Sequence, residues 1–217
     1  MNTPNFGLTI LALPITLAGP ISAGGQTTSS EASPAQRLFE SGQYDQTVQA
    51  IAEARGREAT GPQETFLAAH AYLRLNQNDL AKTEFGRLTE SSDERWRLVG
   101  ESSAALVDNN LDRSLELATQ AASMTPGGPD VRDFAVLYQL GLVKMRREDW
   151  AGSAEAFERA AQSNPAFAYA HYYAGLAYSR IQRLDRVAAH FEQFLKLAPD
   201  APERSAVMSI MRTLRGV

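Results

Sequence analysis

From residue 33 onward, apolar side chains recur every three or four positions, in segments separated by short polar breaks. That period places the apolar residues on one face of a helix. The pattern is sharpest near the C-terminus. Leu137, Leu140 and Gly141 share one face of a first helix, and a polar turn follows at 147–149. Trp150, Ser153, Phe157 and Ala160 share one face of a second helix. Pro165 then ends it, because proline has no N–H to continue the helical bonding. The next segment repeats the plan with Gly175 and Tyr178, then Leu184, Val187, Phe191, Phe194 and Pro199. Gly141 and Gly175, Phe157 and Phe191, and Pro165 and Pro199 are each 34 residues apart. A fixed period of that length predicts stacked helical hairpins.

Upstream the same plan is looser. Residues 64–76 predict a first helix with Ala69 as the small contact and Tyr72 as the aromatic. Ala81, Phe85 and Leu88 then mark a second helix. Leu111, Ser114, Ala118 and Ala121 mark another second helix, ended by Pro126. Its first helix, around Trp96, Val99 and Gly100, fits the register only if two residues are inserted before Asn109. The earliest unit keeps Gly42, Tyr44, Ile51 and Ala54 behind a short helix that begins near Ser33, and residues 55–62 read as the loop after it. Residues 125–130 (TPGGPD) form a longer break of helix-stopping residues. That break either bends the array or separates an irregular half from a regular one. Residues 202–215 predict a last helix with Val207, Ile210, Met211 and Leu214 on one face. It reads as the cap that repeat arrays need over an end hairpin.

These residues resemble the tetratricopeptide repeat over about 33–200. That family carries a large residue, Leu-Gly and an aromatic on the first helix, then Ala, Phe, Ala and Pro on the second. Lys144 stands where an aromatic is usual, and Ser153 and Val187 where Ala is usual. The resemblance implies an all-α, right-handed superhelical solenoid whose first helices line a concave groove. It implies protein or peptide partners and is silent on chemistry.

Aligned on Ala69, Gly141 and Gly175, the first helices place Phe66, Tyr138 and Tyr172 three residues earlier. His70, Leu142 and Leu176 come one residue later, and Arg74, Arg146 and Arg180 five later. Residues four apart share a helix face. By the resemblance that face points into the groove, with Tyr169 and Tyr173 adding aromatic surface. The partner-binding candidates are therefore Phe66, Arg74, Tyr138, Arg146, Tyr169, Tyr172, Tyr173 and Arg180. An acidic or C-terminal segment of a partner would cross the aromatics and pair with the arginines. A plainer reading stands beside it: arginine in a last helical turn satisfies the helix dipole, and aromatics at this spacing also pack cores.

Charge and composition narrow the function classes. The net charge is −4, with both signs interspersed, which argues against nucleic-acid binding. There is no cysteine, so disulfides, thiol nucleophiles and cysteine metal sites are excluded. His70, His171 and His190 lack metal-ligand spacing. No phosphate-binding glycine loop and no Gly-x-Ser-x-Gly elbow occurs. The expectation is a non-enzyme without cofactor.

The first 23 residues read as a signal peptide, with an apolar stretch at 6–18 and small residues before a cleavage point after Ala23. No Lys or Arg precedes that stretch. Residues 24–33 read as a disordered polar lead-in. The expected organisation is then irregular repeats over 34–126, two regular repeats over 134–200 and a cap over 201–217. Export to a periplasm or the exterior is expected, with a cytoplasmic location as the alternative. The expected role is a scaffold for an envelope complex. The alternative is a self-associating solenoid that uses its last helix, giving a homo-oligomer.

Overall fold

Five positions set the architecture. Gly42, Asn76, Asn109, Glu148 and Gln182 all take positive φ, between 58° and 77°. Each follows the end of one helix and precedes the start of another. In each case the next residue donates its N–H back to the carbonyl five residues earlier, as Gln77 does to Tyr72 and Asp149 to Lys144, both at 2.9 Å. This left-handed turn closes the open carbonyls of the first helix and reverses the chain. Side chains then fix the next helix start, where Asp149 accepts from Gly152 N–H at 2.9 Å and Asn110 from Arg113 N–H at 3.3 Å.

The structure is a computed structural model and describes residues 32–57, 60–125 and 130–216. The signal-peptide and lead-in expectations for residues 1–31 lie outside these. The described residues form helices and no strand. Hairpin one is α1 (Pro34–Glu40) and α2 (Tyr44–Arg57); hairpin two is α3 (Pro62–Arg74) and α4 (Asn78–Thr89). Hairpin three is α5 (Glu94–Val107) and α6 (Leu111–Ser123); hairpin four is α7 (Val131–Arg146) and α8 (Trp150–Ser163). Hairpin five is α9 (Ala168–Arg180) and α10 (Leu184–Leu197), and α11 (Arg204–Arg215) follows. Consecutive helices pack on each other along the whole series, so the array is an all-α solenoid.

Within a hairpin the helices touch at a small residue. A Cβ on Gly141 would stand 2.9 Å from the Phe157 ring, and one on Gly175 would stand 2.5 Å from that of Phe191. The 34-residue spacing is thus a spacing of ring-on-glycine contacts. Ser153 keeps the plan although it replaces alanine, because its hydroxyl donates to the Gly141 carbonyl at 2.9 Å.

Hairpin three corrects the register. Ser114 Oγ donates to the Ser102 carbonyl at 2.8 Å, and Ser102 Oγ to the Ser114 carbonyl at 2.9 Å. These residues are 12 apart, as Gly141 and Ser153 are. Ser102 is therefore the small contact, and no insertion before Asn109 is needed. Gly100 faces the preceding hairpin instead, where a Cβ would meet the Phe85 carbonyl at 2.5 Å.

A second correction concerns the end of α2. Arg55 to Arg57 are helical rather than loop. Arg55 is held by Glu84 through two bonds of 2.8 and 2.5 Å, and by Thr65 Oγ1 at 3.2 Å, so its backbone stays in the helix.

Across the break at 125–130 the stack continues, because α6 packs on α7 and α5 also touches α7. Arg95 pairs with Asp133 at 2.6 Å and Arg132 with Asp93 at 3.0 Å, tying the starts of α5 and α7 together. At the far end, Val207 and Met211 of α11 are buried and Ile210 and Leu214 half-buried. That covers the last hairpin as a cap does.

The solenoid also closes on itself. Gln36 of α1 donates to the Ala166 carbonyl at 2.9 Å, and Ala168 N–H donates to Glu40 Oε1 at 2.8 Å. Phe39 stacks on Phe167 and meets the edge of Tyr169. Gly42 is pressed against Pro202 so closely that a Cβ there would stand 2.5 Å from it. The first hairpin thus touches the start of the fifth and the segment before α11.

Candidate functional site

Closure leaves a cavity of about 350 Å³ inside the curve of the solenoid. The first helices of hairpins two, three and four supply most of its wall, at equivalent positions. One residue after each small contact come His70, Ser103 and Leu142, and five residues after come Arg74, Val107 and Arg146. Phe39 of α1 and Tyr169 and Tyr173 of α9 complete it from the other side. Arg146 and Asn78 are exposed and mark the mouth.

Five of the eight sequence candidates meet here: Arg74, Tyr138, Arg146, Tyr169 and Tyr173. Three do not. Phe66 is 2 % exposed, packed against His70, Trp96 and Phe134. Tyr172 is half-buried against Phe194, at 5.1 Å between ring centres. Arg180 lies over the Trp150 ring at 4.6 Å, which holds it away from the cavity. Tyr138 and Tyr169, although in the wall, are 2 % and 1 % exposed. They shape the cavity and offer no open surface, because the aromatics of neighbouring repeats crowd them from behind.

Arg74 does not wait free for a partner. It forms an ion pair with Glu203, donates to Tyr44 Oη at 2.9 Å and to Tyr169 Oη at 3.2 Å. Tyr169 Oη in turn donates to Glu203 Oε2 at 2.7 Å. The guanidinium lies over both rings, 5.3 Å from Tyr44 and 5.1 Å from Tyr169. This cluster clasps the two ends of the solenoid. Arg146 is different. It donates to Asn109 Oδ1 at 2.9 Å and makes no ion pair among the described residues.

His70 is 8 % exposed, and burial together with the nearby Arg74 charge pushes its imidazole down to about 3, so it is neutral. Its Nε2 and the Ser103 hydroxyl find no hydrogen-bond partner. Burial drives the Tyr138 phenol well above its ordinary value. Elsewhere, His171 and His190 face each other across hairpin five with Nδ1 atoms 3.2 Å apart. Burial, with the His190 ring beside it, lowers His171 to about 4. No group of three or more His, Asp or Glu residues with metal-binding geometry occurs among the described residues. No described helix is long and apolar enough to cross a membrane.

The clasp escaped sequence reasoning. Phe39, Tyr44 and Glu203 meet partners up to 129 residues away, and no local pattern marks such contacts. Ser103 and Val107 were within reach. Counting back 12 residues from Ser114 puts them in the groove register beside His70 and Arg74.

The architecture is that of a repeat protein whose hairpins present a concave surface. Residues 138–202 match the sequence profile of the tetratricopeptide repeat, and the chain is a tetratricopeptide-repeat protein. The crystal structure of TTC0263, a thermophilic tetratricopeptide-repeat protein in Thermus thermophilus, superposes with a TM-score of 0.57 at 15 % identity. It covers 84 % of this chain and 96 % of that one. The Cut9-Hcn1 hetero-tetramer of the APC/C gives a TM-score of 0.54 at 14 % identity, over 83 % of this chain and 36 % of that one. A crystal structure of MamA is a looser match, with a TM-score of 0.44 at 16 % identity over 76 % and 95 % of the two chains. At these identities the likeness concerns the fold alone. No curated protein sequence matches the chain significantly.

Proposed function

We propose that this chain is a non-enzymatic scaffold that binds a protein or peptide, is exported, and supports assembly of an envelope complex. The observation that carries the reading is Arg146. It stands exposed at the cavity mouth with a single neutral partner and no carboxylate. An acidic segment lying across the mouth would gain a charge-assisted bond there without breaking an existing ion pair. The deeper groove is taken by α1 and the clasp, so the partner rests on the rim formed by the ends of α3, α5 and α7. Export rests on the apolar N-terminal segment of the sequence.

The test is photo-crosslinking in the native host from a reactive amino acid in place of the exposed Asn78, with envelope and cytoplasmic fractions separated. One envelope protein crosslinked, and lost on Arg146→Glu, is the expected outcome. Crosslinks only to a second copy of the chain would favour the self-associating solenoid. No crosslink from a folded protein would overturn the rim assignment. Finding the full chain only in the cytoplasm would overturn export.

A further inference from the structure

The cavity carries a property that protein docking at the rim does not use. Two polar atoms, His70 Nε2 and Ser103 Oγ, sit in its wall with no hydrogen-bond partner. The residues are 8 % and 1 % exposed. A buried polar group left unpaired is costly, and native proteins rarely retain one without use. Both occupy the same position of successive repeats, so the groove register itself points them inward.

The remaining wall is apolar, formed by Leu73, Leu106, Val107, Leu142 and Met145. The lining contains two arginines and no Asp or Glu. Glu203 offsets Arg74, and the charge of Arg146 at the mouth is left over. A volume near 350 Å³ lies at the lower end of small-molecule sites, about 300–1,000 Å³. An extended peptide does not fit such a space; one compact ring with a short tail does.

We propose that this cavity binds a small hydroxylated aromatic carboxylic acid. Its hydroxyl meets His70 Nε2 and Ser103 Oγ at the deep wall. Its ring lies against the leucines, Val107 and Met145. Its carboxylate stays at the mouth on Arg146, where solvent and the guanidinium share its charge. The site goes beyond the scaffold reading and stands without it.

Calorimetric titration of the purified full-length chain tests the assignment with three probes. These are 3-(4-hydroxyphenyl)propionate, 3-phenylpropionate, which lacks the hydroxyl, and 3-(4-hydroxyphenyl)propan-1-ol, which lacks the carboxylate. The first is expected to bind one to one, and each truncated probe at least about fivefold more weakly. Arg146→Gln removes the preference for the acid over the alcohol. Ser103→Ala, a change too small to threaten folding, reduces the preference for the hydroxylated ring. Met145→Trp fills the space from the half-buried rim and abolishes binding of all three. No saturable binding up to about 10 mM by a chain that circular dichroism shows to be folded overturns the proposal. So does equal affinity for any two probes, or binding that is indifferent to Met145→Trp.

Discussion

Arg74 and Glu203, 129 residues apart, form an ion pair that fastens the second hairpin to the segment entering the last helix. Both side chains are largely withdrawn from solvent, at 27 % and 15 % exposure, and Tyr169 and Tyr44 bond to the same cluster. Removing one partner leaves the other buried beside phenols. Arg74→Gln or Glu203→Gln is expected to cost about 1–3 kcal/mol of stability. The double variant is expected to cost less than the sum, with a coupling of about 0.5–2 kcal/mol. Urea denaturation of the four proteins measures this, and additive losses would show that the clasp is not energetically real.

The ring-on-glycine contact is the tightest spacing in the regular repeats. Gly175→Ala places a methyl group 2.5 Å from Phe191. The cost is expected to be about 1–3 kcal/mol, from displacement of a fully buried ring. Adding Phe191→Leu makes room and is expected to recover part of the loss. Thermal melting reads both, and a Gly175→Ala protein that melts like the parent would contradict the contact.

Glu40 gives the closure a pH dependence. Burial raises its carboxyl to about 7, against the bonds from Ala168 N–H and Gln36, which favour the charged form. The folded value lies above the unfolded one, so the folded chain holds the extra proton. That contribution is complete below the unfolded value, near 4.5, and is lost as pH rises through about 7. Relative to Glu40→Gln, the parent is expected to lose about 3 kcal/mol between about pH 4 and about pH 8. His70 acts in the opposite sense. Its folded value is depressed to about 3, so its contribution is present above the unfolded 6.5 and lost as pH falls. The difference between parent and Glu40→Gln isolates the carboxyl, and a flat difference would place Glu40 outside this account.

Glu148 occupies the left-handed turn of the fourth hairpin at φ 62°, where Gly42 serves in the first. A side-chain-bearing residue is strained there, and glycine is not. Glu148→Gly is expected to stabilise by up to about 1 kcal/mol, the relief exceeding the entropy that glycine adds to the unfolded chain. An internal helical glycine would do the reverse. A lowered melting temperature would mean that the turn gains more from the side chain than the backbone loses.

The local part of this fold could be read from the chain, and the non-local part could not. Gly141, Phe157 and Pro165 recur at a fixed interval because each hairpin solves the same packing problem. Arg74, Tyr138 and Arg146 were legible for the same reason. Gly100 misled, because a glycine attracts notice as a small contact and Ser102 does not, although paired hydroxyl-to-carbonyl bonds do the same work. Phe66 and Arg180 shared the groove spacing, yet Trp96 and Trp150 engage them. Spacing shows which face a residue is on and not which neighbour reaches it. Glu203 and Phe39 carry no periodic signal, since what places them is the curvature accumulated over five hairpins.

An open row of hairpins melts from its ends, because each leans only on its neighbours. Here the end units lean on each other, through bonds between residues as far as 130 positions apart. Neither terminus is then a natural place for fraying to begin, and the chain should lose structure as one cooperative unit. Synthesis exposes the other side of this arrangement. The first hairpin leaves the ribosome long before Ala166 and Ala168 exist, so it remains without its partners until the chain is nearly complete.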